Sequence, residues 1–178
     1  MSLPRLSAIA FAIVTTLTAP AAADCIDWGL DLEVCSTPDI SVAYNEIGFP
    51  FAEIRTETRL TQVFWTVSGP RIESETDLEN SFWTVWSLVG DRLEGRGHLD
   101  FNRDYMSEIN GQTVFRNPFV LRPEDNPNHF YIHLSVFDAF GVPAAIEIIE
   151  PVRSSDTQTT NALLAQAMQM IQPQGTGQ

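Results

Sequence analysis

Lysine is absent from this chain, and all ten of its basic residues are arginines. No lysine Schiff base or lysine general base can therefore operate here. Positive charge is scarce altogether: 23 acids bring the formal net charge to −13. A balance this acidic argues against nucleic acid, whose phosphates demand basic surface, and against anionic lipid headgroups. After residue 23 there is no hydrophobic run long enough to cross a bilayer as a helix, so no stable membrane anchor is expected. Also missing are a Gly-x-Ser-x-Gly elbow, a phosphate-binding glycine loop and a four-ligand cysteine or histidine set. Neither a cofactor nor a metal site is expected.

What stands at the N-terminus reads as an export signal, residues 1–23. Arg5 supplies the charge, Leu6 to Leu17 the apolar stretch, and Ala21-Ala22-Ala23 the small residues that precede cleavage. Cleavage is expected near Ala23-Asp24. Asp24 stands directly before Cys25, where lipid attachment needs a small residue, so the product reads as unlipidated. The destination is the periplasm or the exterior.

Cysteine is limited to Cys25 and Cys35. In an oxidising compartment an isolated pair is most simply a disulfide. A loop this short contributes on the order of 2–3 kcal/mol by chain-entropy arguments. The spacing is neither C-x-x-C nor part of a four-ligand site, so a redox or metal role is disfavoured.

Length and apolar content specify one domain, residues 24–172, with residues 173–178 as a disordered tail. Ile40 to Phe49 alternates as a strand, and β-branched and aromatic residues dominate Glu53 to Val67. Alternation continues from Leu93 through Gly95, Gly97, Leu99 and Phe101. Thr113 to Leu121 reads as another strand, with Pro118 demoting part of it to an edge or bulge. His129 to Phe137 and Ala144 to Ile149 form the clearest hairpin, with its bend at Asp138-Ala139-Phe140-Gly141. The return strand is apolar on both faces apart from Glu147, and reads as central. Phe64-Trp65-Thr66-Val67 recurs as Phe82-Trp83-Thr84-Val85, each copy followed by a Gly-x-Arg-apolar-Glu segment. Both copies read as strands of β-hairpins. One helix is expected, after Ser155, with Ser155 and Gln158 as a capping box and Leu164, Met168 and Ile171 as its apolar stripe. The fold class is α+β and β-rich: a mainly antiparallel curved sheet, or a barrel-like meander of hairpins, with one C-terminal amphipathic helix. That outline is similar to lipocalin-like barrels, but no motif of theirs occurs and no family is assigned.

The candidate surfaces follow from this reading. Trp65, Trp83 and Trp86 are concentrated in two neighbouring segments and form the candidate ligand-binding set. On strands, Trp83 and Trp86 face opposite ways and cannot stack. Glu73, Glu75, Asp77 and Glu79 alternate along the chain; on a strand they make a comb that binds Ca²⁺ or shields an edge. Asp125 to Asn128 is a weaker calcium candidate. His129 and His133, four apart in a strand, lie too far apart to share a metal ion. The leading functional expectation is an exported, non-enzymatic binding or envelope-associated domain, its partner an apolar ligand or an envelope protein. The alternatives are an exported hydrolase or metal-dependent enzyme, in which His98, His129 or His133 converges with carboxylates, and a structural envelope subunit. Oligomeric state is open.

Overall fold

The computed structural model describes residues 24–56, 60–67, 69, 71–92, 97–99, 105–122 and 127–175. The expected leader lies outside them. β1 (Cys25–Gly29) and β2 (Leu32–Cys35) pair antiparallel and are joined by Leu30-Asp31, both at positive φ, as a tight primed turn requires. β3 (Ala43–Tyr44), β4 (Pro50–Arg55) and β5 (Leu60–Val67) follow, then α1 (Glu75–Arg92). Next come β6 (Gly97–Leu99), β7 (Met106–Ile109), β8 (Gln112–Leu121), β9 (Phe130–Ala139) and β10 (Val142–Pro151). A single 3₁₀ turn, Val152–Ser154, leads into α2 (Thr157–Gln169), and β11 (Ile171–Pro173) closes the chain.

Eight strands form one antiparallel sheet in the order β3-β4-β5-β10-β9-β8-β6, with β7 pairing β8 beside β6. β1, β2 and β11 form a separate three-stranded sheet. The large sheet is open, so the barrel alternative for this chain gives way to a layered sheet. Cross-strand partners share a face, which sorts the core into two. Val63, Trp65, Val114, Phe137, Ile146 and Ile148 meet α2 and the small sheet. Phe115, Phe119, Ile132, Leu134, Val136 and Ala145 meet α1. β10, flanked by β5 and β9 and covered on both sides, is apolar on both faces for that reason. Its bend with β9 falls at Phe140-Gly141, both at positive φ, where the sequence places it.

Two helices are present where one is expected. The second copy of the tetrapeptide lies in α1, while the first lies in β5. Leu78, Phe82, Val85 and Val89 are buried at helical spacing, and this stripe outweighs the β preference of the aromatic residues. The N-terminus of α1 is a capping box. Ser74 Oγ accepts from the Asp77 backbone N–H (3.3 Å), and Asp77 Oδ2 accepts from the Glu73 backbone N–H (3.1 Å) and from Ser74 Oγ–H (2.9 Å). Glu75 and Asp77 occupy the first turn and Arg92 the last, as the helix dipole favours. The expected acidic comb is therefore corrected: Glu75, Asp77 and Glu79 wind around a helix and do not share the face of a strand.

The start of α2 moves by one residue. Asp156, not Ser155, is the N-cap, accepting from the Thr159 backbone N–H at 2.8 Å. After α2 the chain does not fray at residue 173. Ile171–Pro173 pairs with β2, and Gln174 donates to the Asp31 carbonyl and, through its side chain, to Asp27 Oδ1 (2.7 Å).

Candidate functional site

Cys25 and Cys35 are cross-strand partners in β1–β2 and are joined by a disulfide. Glu33 brings its carboxylate close to both sulfurs, but sulfurs bonded to each other offer no thiolate to a metal ion.

The three candidate tryptophans do not form one surface. Trp65 is 0 % exposed on β5, and its Nε1–H donates to the Ala167 carbonyl of α2 at 3.0 Å. It ties the sheet to the helix and offers nothing to a ligand. Trp83 and Trp86 are half-buried on α1, one turn apart, with ring centroids 5.8 Å from each other. On a helix positions three apart are neighbours, so the expectation that these two rings point to opposite faces is overturned. Trp83 also packs on Phe82 and Tyr105, and Trp86 on Phe119. Tyr105 O–H donates to Glu79 Oε1 at 2.9 Å, and that bond pushes the phenol above its ordinary value. Trp65 lies beneath α2 while Trp83 and Trp86 sit on α1, so the three candidate rings do not share one open face of the sheet.

The histidines separate. His129 is exposed just before β9. The His98 backbone pairs with Val120 at the β6 edge. Among the described side chains, His133 meets a carboxylate: its Nε2 lies 2.9 Å from Oε1 of Glu150, which is 0 % exposed near the end of β10. The same oxygen accepts from Ser155 Oγ–H (2.6 Å) and Thr160 Oγ1–H (2.9 Å). This knot joins β9, β10 and the start of α2. Of the weaker calcium candidate, Asp125 lies outside the described residues and Asn128 is exposed.

Against this knot lies a recess of about 470 Å³, lined by Arg116, Tyr131, His133, Ser155 and Thr157, with Pro118 and Val152 as its apolar wall. Asn117 and Leu134, whose side chains alternate to the α1 face, border it along the strands. The register explains the convergence. Arg116 stands opposite Ser135, Pro118 opposite His133 and Val120 opposite Tyr131, so alternate residues of β8 and β9 share the α2 face. Pro118 is tolerated within β8 because it falls in the interval between the residues that pair with β7 and those that pair with β6. The Arg116 guanidinium is half-buried and donates through Nη1 to Asn161 Oδ1 at 2.7 Å. Burial holds it below the ordinary arginine value. Its place in a strand covered on both sides was a legible signal: a charge between buried Phe115 and buried Asn117 calls for a reason. Glu150, at the end of a strand otherwise apolar apart from Glu147, carried the same signal.

A second depression of similar size is lined by Glu73, Glu75 and Asp138, and a smaller slot of about 300 Å³ by Ile40, Ile54, Ala162 and Leu163 between α2 and the β4–β5 edge. Among the described residues no helix is long and apolar enough to cross a membrane. No protein-family model matches the chain, and no curated protein matches it.

Proposed function

We propose that this chain is an exported, non-enzymatic binding domain whose ligand seat is the recess between β8, β9 and the start of α2. The observation that carries the reading is the recess itself. It is within the size range of small-molecule sites, its walls are two paired strands and a capped helix, and a few polar groups converge in it. The cystine of the small sheet fits an oxidising destination.

The arrangement favours binding over hydrolysis. A serine hydrolase needs the imidazole between the hydroxyl and the carboxylate, so that the ring can take the hydroxyl proton. Here the Glu150 carboxylate stands between them, holding His133 and Ser155 on a single oxygen. That geometry anchors both side chains and leaves the hydroxyl without an imidazole partner. The test is a fragment screen by ¹⁵N NMR on the purified chain. Shifts grouped at Arg116, Tyr131, His133 and Thr157, without turnover of ester or phosphoester probes, are expected. Shifts scattered over the surface, or hydrolysis abolished by Ser155→Ala, would sink the reading.

A further inference from the structure

We infer that the recess recognises a small organic ligand through a terminal oxyanion, a carboxylate or a phosphate, seated on Arg116; the inference rests on the binding reading above. Among the described arginines, exposed Arg122 and Arg153 need no counter-charge because water solvates them, so it is an enclosed arginine away from acids that has to be explained. Arg92 meets Glu147, Arg55 meets Glu53 and Arg71 meets Asp31. Arg116 is more enclosed than these, yet no carboxylate among the described residues pairs with it; its guanidinium bonds only the neutral Asn161 amide. A cation withdrawn from water without a counter-charge is costly, and an anion entering the recess offsets that cost. The planar fork of donors suits a carboxylate or phosphate, one edge held by Asn161 and the rest turned to the ligand.

The neighbouring groups fit the same ligand. Among the described residues no acid lines the recess. Glu150 is fully buried behind His133, Ser155 and Thr160, with His133 beside it to balance its charge when protonated. Asp156, between Ser155 and Thr157, is exposed and engaged in capping α2. Thr157 and Tyr131 add hydroxyls at the rim. The end of α2 adds little, since Asp156 already occupies its cap. Arg116 carries the recognition. Pro118 and Val152 give the body of the ligand an apolar wall, so the ligand is an organic acid or monophosphate larger than the bare ion.

Four probes test this on the purified chain by NMR, read at the Arg116 Nε–H and the Thr157 amide: benzoate, phenyl phosphate, and their neutral counterparts benzamide and benzyl alcohol. Saturable binding of either anion is expected, and the tighter of the two names the head group. Arg116→Gln weakens it at least about tenfold. Thr157→Glu, an exposed change that places a negative charge at the rim, abolishes it while thermal melting stays near wild type. Equal binding of the neutral probes, or anion binding unaltered in both variants, overturns the oxyanion inference and leaves the binding reading standing. No binding by any of the four in a folded protein overturns both.

Discussion

Glu150 is the residue on which the most structure depends for its size. One fully buried oxygen gathers an imidazole from β9, a hydroxyl from the link before α2 and a hydroxyl from α2, and removing it takes the shared acceptor from all three. Glu150→Ala is expected to destabilise the fold by about 3–5 kcal/mol, the range for breaking a buried charged pair, read as a lowered urea midpoint. A loss below about 1 kcal/mol would mean that solvent reaches the knot. Trp65 works differently, through volume and one hydrogen bond to α2. Trp65→Ala is expected to cost on the order of 3–5 kcal/mol, whereas changes at exposed Leu88 stay within about 0.5 kcal/mol in the same denaturation series.

At the level of single elements, the paired tetrapeptides show how little four residues decide. Phe64 and Trp65 point to opposite sides of β5, while Phe82 and Trp83 lie side by side on α1 with ring centroids 5.0 Å apart. What separates the two copies is the flanking sequence: Ser74 and Asp77 start a helix, and Leu78, Phe82, Val85 and Val89 keep it on the sheet. Ser74→Ala is therefore expected to lose about 1 kcal/mol of stability, measured as a shift in the urea midpoint. Asp77 adds a pH dependence. The Ser74 hydroxyl, then the Glu73 N–H, hold its carboxyl below 3.8 in the folded state. Its contribution is complete above that value and is lost as pH falls through the lowered one. Wild type should melt above Asp77→Asn at pH 6, and the gap should close on titration towards pH 2. A gap constant over that range would remove the assignment.

Over the whole molecule, the small sheet fastens the two ends of the described chain. β2 pairs with β1 on one side and β11 on the other, and the Cys25–Cys35 bond locks the first of these pairings. Reduction, or a paired Cys25→Ser and Cys35→Ser change, should cost about 2–3 kcal/mol and raise hydrogen exchange at Val34 and Ile171. An unchanged urea midpoint after reduction would show that pairing alone holds this edge. Much of this scale is legible in residue order. Two cysteines in an otherwise thiol-free chain specify one bond, and a strand apolar on both faces specifies β10 as central. Phe140-Gly141 between two alternating runs specifies the longest hairpin. The Asn110-Gly111 turn and strand β7 before it were missed, although Asn-Gly, both residues at positive φ here, is a hairpin signal.

The sequence by itself determined an antiparallel, β-rich domain with a cystine and a C-terminal helix, because periodicity, turn chemistry and cysteine count are local properties. Only the tertiary structure decided that Glu75 to Arg92 is helical and that the sheet stays open, since aromatic residues suit either state until a partner face selects one. It alone assembled the recess: Arg116, Tyr131, His133 and Thr157 are separated along the chain, and the register of β8 on β9, together with the landing of α2, brings their side chains to one place.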